Sequence, residues 1–199
     1  MTADLRYTPG AMRIPFDAAW RHHDRYARAL KLLGRYGAGD WLDYGCGSGY
    51  GTQYLAGFTT GIIGFDPDAE AIEKSVGSQK IAYSSDQKWV TRCAPYDAIF
   101  MIEVLEHLDE HDLPPLLCTF LDIVGRPAGR LVVSTPFCTE TNRDPVNPHH
   151  KIEYGWEHLR KLLKDCGWTT CTADFFPVKW TDGTTGQQAI VLCQPSKNT

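Results

Sequence analysis

The chain has 199 residues, of which 43% are hydrophobic and 22% charged, and its net charge is −4. That length suits one domain with a full core, and the acidic balance argues against a broad nucleic-acid footprint. No run is long and apolar enough to span a bilayer, and the opening M-T-A-D-L-R lacks the apolar stretch of a signal peptide. Seven cysteines with no C-x-x-C pair read as buried thiols rather than a disulfide frame or zinc site, so a cytoplasmic location is expected.

The stretch up to Pro15 is rich in turn formers and reads as an arm, followed by a helix over 17–33. Together, residues 1–36 are expected to form a lid over the site. Alternating elements follow: strand 40–44, helix 50–56, strand 61–65, helix 68–75 after Pro67, and strand 80–84. Next come strand 97–102, helix 112–124 and strand 129–134. A loop from Pro136 to His150 leads to helix 155–166, which Gly167 caps. Strands 168–175 and 187–194 form an antiparallel closing pair. Such alternation predicts a single α/β domain over 1–199, with a mostly parallel sheet and helices on both faces.

The segment 41–51 reads W-L-D-Y-G-C-G-S-G-Y-G, and I-I-G-F-D follows to Asp66. A strand ends near Asp43, and the next turn carries Gly45, Gly47, Gly49 and Gly51. Glycines there permit positive φ and let a ligand touch the backbone. Asp66 ends the following strand, where a carboxylate can accept both hydroxyls of a ribose. The dinucleotide fingerprint G-x-G-x-x-G would need glycine at position 50, where this chain has Tyr50. The spacing D-x-G-x-G-x-G instead resembles motif I of the class I S-adenosylmethionine (SAM) methyltransferases.

That resemblance spans roughly His22 to Gln194 and implies a seven-stranded Rossmann-like fold with a reversed terminal hairpin. It implies SAM as cofactor and S-adenosylhomocysteine (SAH) as product. The cofactor-binding residues it suggests are Asp43, Gly45, Cys46, Gly47, Gly49, Asp66, Pro67, Asp86 and Glu103, with Tyr26 from the lid helix. Asp86, after the third strand, is the acid expected to meet the adenine amino group. Arg25 suits the charge of the methionine carboxylate.

The fourth strand opens into E-V-L-E-H-L. With a helical turn after Ile102, Glu103, Glu106 and His107 would share one face at i, i+3 and i+4. This segment resembles the E-V-[IL]-E-H of several SAM methyltransferase subfamilies. One of them methylates the 3′-terminal 2′-hydroxyl of small RNAs, where the matching residues and a later His bind a divalent metal. His150, in N-P-H-H-K-I-E-Y, corresponds to that later His. The same stretch resembles N-P-x-H-x-x-E-[FY] of bacterial surface-polysaccharide methyltransferases. R-Y-T-P-G near the start, and H-x-R-Y at His23, Arg25 and Tyr26, resemble those enzymes' opening, although this chain has His22 where they usually carry Glu.

The expected reaction is therefore methyl transfer to a hydroxyl of a small molecule, sugar or glycolipid precursor. The expected catalytic residues are His107 as base, with Glu103, Glu106 and His150. The alternatives are a metal-assisted RNA 2′-O-methyltransferase and a non-catalytic SAM-binding regulator or partner subunit. Neither the divalent metal nor a nucleic-acid partner is the favoured reading.

Overall fold

In the computed structural model, the described residues are 16–34, 39–125, 128–179 and 185–197, and the side chains of 16–22 and 179 lie outside that description. The N-terminal arm, with its R-Y-T-P-G, and the side chain of His22 fall outside the described residues.

The apolar runs form one seven-stranded sheet. Its strands are β1 (Asp40–Tyr44), β2 (Gly61–Phe65), β3 (Ile81–Ser84), β4 (Ala98–Ile102), β5 (Arg130–Phe137), β6 (Trp168–Lys179) and β7 (Thr185–Pro195). The order across the sheet is β3-β2-β1-β4-β5-β7-β6. Strands β3 to β5 run parallel, and β7 inserts antiparallel between β5 and β6. The terminal pair is thus the reversed hairpin expected from the sequence.

Helix α1 (Phe16–Leu33) precedes the sheet, and α2 (Tyr50–Leu55) and α3 (Ala69–Glu73) flank β2. Three more follow: α4 (Gln87–Arg92), α5 (Leu113–Ile123) and α6 (Trp156–Asp165). Alternate strand residues face opposite layers, as the twofold period of a strand requires. Leu42, Ile99, Met101, Leu131 and Val133 pack with Leu117 and Phe120 of α5 and Leu159 and Leu163 of α6. Trp41, Ala98, Phe100, Ile102 and Val132 pack with Tyr26, Ala29 and Leu33 of α1 and Leu55 of α2. Every residue of β4 is buried, which is why its sequence reads as one continuous apolar run.

Three expectations change. Helix α4 was not foreseen; Asp86 is its N-cap and accepts the Lys88 N–H at 2.9 Å. The last two strands are longer than read from the sequence, because their pairing continues to Lys179↔Thr185. The cysteines are not uniformly buried: Cys46, Cys166 and Cys193 are, while Cys93, Cys118 and Cys171 are exposed. Among the described residues, no helix is long and apolar enough to cross a membrane.

The chain leaves β1 toward one side of the sheet and returns to β4 on the other, so a crevice opens at the carboxyl ends of β1 and β4. Phe100 underlies that crevice, fully buried and 5.2 Å from Trp41 between ring centroids. Phe100→Ala is expected to cost about 3–5 kcal/mol, read as a lower denaturant midpoint with an unchanged slope.

Candidate active site

The turn after β1 is set by backbone geometry. Gly45, Gly47 and Gly49 all have positive φ, and the amides of Gly45 and Cys46 donate to the Phe65 carbonyl at 2.7 and 2.9 Å. Most of this turn is closed by neighbours. A Cβ on Gly45, Gly49 or Gly51 would come under 3 Å from Val104, Tyr83 or Tyr26 respectively. Gly47 differs: its φ is +55°, and a Cβ there would meet nothing within 4 Å among the described residues.

Asp66 anchors this open position. Its Oδ2 accepts the Gly47 N–H at 2.8 Å, and its Oδ1 accepts the Asp68 N–H at 2.9 Å. Pro67, exposed, sets the exit of β2 between them. Asp86 is exposed at the end of β3, with one carboxylate oxygen engaged in capping α4.

Asp43 lies beneath the turn with no exposed surface. It accepts hydrogen bonds from Thr52 Oγ1 at 2.7 Å and Tyr26 Oη at 3.2 Å. Burial raises its pKa to about 6, against the lowering effect of those two bonds. Cys46 is also buried, and burial pushes its thiol up, away from reactivity.

Glu103 sits just past β4 and does not begin a helical turn. Its φ is +58°, a left-handed value that a β-carbon makes costly. Its amide donates to the Ser134 carbonyl and Oγ, each at 3.1 Å. Its Oε1 accepts from Ser134 Oγ at 2.6 Å and from Gln188 Nε2. Its Oε2 pairs with Arg25 Nη2 at 3.3 Å, and Arg25 Nε donates to Gln188 Oε1 at 3.0 Å. The acid is therefore fixed in a buried network linking α1, β5 and β7. Ser134 and Gln188 were not singled out from sequence; both are fully buried, yet their strands carry other polar residues, so no local signal marks them.

The remaining three catalytic candidates do converge. A 3-10 turn, Leu105–His107, carries Glu106 and His107. The loop bearing His150 docks on it, with the Lys151 and Ile152 amides donating to the Glu106 carbonyl at 2.7 and 3.4 Å. The rings of His107 and His150 lie edge to face, 5.1 Å apart. Ligating atoms of Glu106, His107 and His150 all fall within 4.8 Å of one another, and Glu103 is outside this group. The shared face expected for Glu103, Glu106 and His107 is thus corrected, because the left-handed backbone at Glu103 breaks the helical spacing.

His107 Nδ1–H donates to the His149 carbonyl at 2.8 Å, which leaves Nε2 as the basic nitrogen. Burial and the neighbouring His150 hold its pKa below 6.5. His150 Nδ1–H donates to Glu153 Oε1 at 2.8 Å. Glu106 is 1% exposed, and among the described residues neither carboxylate oxygen completes a hydrogen bond. Burial first, then the charge of Glu103, push its pKa well above the usual carboxylate range.

A family model described as a methyltransferase domain matches residues 19–173. The chain belongs to the class I SAM-dependent methyltransferases. A probable SAM-dependent methyltransferase of Mycobacterium tuberculosis is 31% identical over 153 residues, covering 74% of this chain and 54% of its own. One from Mycolicibacterium smegmatis is 32% identical over 155 residues, covering 74% and 57%. The chain spans a little over half the length of these curated relatives. The N-methyltransferase NodS of Bradyrhizobium japonicum, solved with SAH, superposes with a TM-score of 0.70 at 17% identity, covering 94% of this chain and 92% of NodS.

The Asp43 shift carries a pH signature for this chain. The unfolded carboxyl ionises near 3.8 while the folded one holds its proton to about 6. Stability present below pH 3.8 is therefore lost as pH rises through 6, by about 3 kcal/mol in all. The difference in denaturant stability between wild type and Asp43→Asn is expected to change over that window and to level off above it.

Proposed function

We propose that this methyltransferase transfers the methyl group of SAM to a hydroxyl of a small molecule, sugar or glycolipid precursor. The single observation that carries the hydroxyl reading is the tautomer of His107. Its Nδ1–H is committed to the His149 carbonyl, so the bare Nε2 is set to take a proton. A hydroxyl needs such a base more than a neutral amine does, because its proton must leave as the new bond forms.

The cofactor reading rests on a cradle that fits it. Gly47 is the one turn glycine whose face opens on unfilled space, and Asp66 is tied to its amide. We assign the ribose hydroxyls to Asp66 and the adenine amino group to Asp86. Tyr26 and Asp43 support the turn from below. Gly45, Cys46 and Gly49 shape the backbone around the ligand, and Pro67 closes its rim. When bound, SAM supplies a methyl group activated by its sulfonium. The chain's part is to orient the acceptor hydroxyl and remove its proton at His107 Nε2. His150 holds the ring opposite, and Glu103 fixes the wall after β4 through Arg25, Ser134 and Gln188.

The metal-dependent RNA reading implied a four-residue set that includes Glu103. In this geometry Glu103 pairs with Arg25 and lies outside the group of possible ligands.

Two measurements test the proposal. Gly47→Ala adds a methyl where the protein itself has room, so SAH affinity is expected to fall at least tenfold while folding stability drops by only about 1–2 kcal/mol; unchanged affinity would remove the cradle. With labelled SAM and matched panels of hydroxyl and amine acceptors, His107→Asn is expected to lower turnover about 10²-fold or more with SAH affinity retained. The wild-type rate should rise with pH along an acid limb whose midpoint lies below 6.5. Turnover confined to amine acceptors would overturn the hydroxyl assignment.

A further inference from the structure

The sequence contains no C-x-x-C, yet the fold brings two cysteines together near the amino end of β6, away from the crevice. Helix α6 stops at Cys166, its C-cap, because Gly167 takes a left-handed φ of +85° and turns the chain into β6. Two residues after Cys166, the buried Trp168 donates its indole N–H to the Leu117 carbonyl of α5 at 3.0 Å. That bond seats the start of β6 on α5, one residue before Cys118. The Cys118 and Cys166 thiols consequently lie within hydrogen-bonding reach of each other. Both line one open depression in the surface.

The two thiols are not equivalent. Cys118 is exposed and Cys166 is buried. Burial, and then the neighbouring Cys118, push the Cys166 thiol up to about 11. An incoming reagent therefore meets Cys118 first, and Cys166 stands behind it as the second sulfur. Lys164 and Lys197 line the same depression, and its acid, Asp165, is paired with Lys161. The rim thus favours a reagent that carries carboxylates.

We propose that Cys118 and Cys166 form a dithiol site that a small anionic disulfide, RSSR, oxidises to an internal disulfide. The Cys118 thiolate attacks one sulfur of RSSR, breaks its S–S bond and expels a thiolate, which takes up the proton that Cys118 released. Cys166 then attacks the Cys118 sulfur of the mixed disulfide, gives up its own proton and expels the second RSH. Two protein thiols and one RSSR give one protein disulfide and two RSH. The protein loses two electrons and two protons, and the reagent gains them. A thiol reductant runs the same exchange backwards.

Helix α5 follows the segment that carries Glu106 and His107, and α6 follows the loop that carries His150. The disulfide would tie these two helices to each other by a covalent bond. The site itself lies outside the crevice and does not depend on the methyl-transfer reading.

The test is incubation of the reduced full chain with oxidised glutathione, then trapping with N-ethylmaleimide in denaturant and mass mapping of the peptides. The expected product is a peptide pair linked between Cys118 and Cys166, with both thiols lost to maleimide and recovered after dithiothreitol. Cys166→Ser is expected to halt the reaction with glutathione retained on Cys118. Cys118→Ser is expected to abolish the link and leave Cys166 a free thiol. Cys118 is exposed, so that variant decides the matter if Cys166→Ser does not fold. Stable glutathione on Cys118 of the wild type, or no reaction there, overturns the site. So does a disulfide from Cys166 to any other cysteine, or one at Cys166 that persists in Cys118→Ser.

Discussion

Three side chains stand where the turn after β1 has no Cβ. Val104 closes on Gly45, Tyr83 on Gly49 and Tyr26 on Gly51. These contacts bring the loop after β4, strand β3 and helix α1 to one short stretch of backbone. Any added methyl at those three positions must push an element away from the sheet. Only at Gly47 does the missing side chain leave space outside the protein's own packing. The turn therefore does two jobs with one residue type: it sets the distances between elements and reserves one face for a ligand.

Helix α1 is coupled to this frame by charge as well as by packing. Arg25 on α1 and Glu103 after β4 form an ion pair that is nearly removed from water, with Gln188 touching both. A buried pair of this kind adds little net stability, because desolvation offsets the Coulombic gain, but removing one partner strands the other. Its value here is positional. It pins a strained residue, Glu103, between strands β5 and β7, and so ties the seat of α1 to the last strand to enter the sheet. Tyr26, one residue on, reaches Asp43 beneath the turn. A change at Gln188, remote in sequence from every motif, would thus be felt at both ends of the crevice.

The geometry of the glycine turn was legible because it depends on short-range spacing. Asp43, the alternating glycines and Asp66 lie within a single strand–turn–helix–strand unit, so their order in the chain nearly dictates their order in space. Strand alternation likewise predicted the sheet and its reversed hairpin. The acceptor half was only partly legible. Reading Glu103, Glu106 and His107 as one face assumed helical backbone from Ile102 onward, and the φ of +58° at Glu103 voids that assumption. Nothing local in E-V-L-E-H announces it; the cause is Ser134 on a neighbouring strand, which takes the Glu103 amide and returns a bond to its carboxylate. Gln188 was hidden for the same reason, since its partners are long-range. Helix α4 was missed although its N-cap Asp86 had been noticed, because that acid was read for ligand chemistry rather than for capping.

The two halves also differ in how fully their polar groups are satisfied. Around the glycine turn, Asp43, Asp66 and Asp68 each accept named hydrogen bonds. Beyond β4, both oxygens of Glu106 and the hydroxyls of Thr135 and Tyr154 are buried without partners. Each such group costs roughly 1–3 kcal/mol relative to a paired one, so a fold selected for stability alone would have removed them. Of these, Glu106 offers a carboxylate oxygen within 4.8 Å of a ring nitrogen of both His107 and His150. The same argument explains why the adjoining loop is secured by main-chain bonds to the Glu106 carbonyl. With the side chains left unsatisfied, the backbone must hold the geometry.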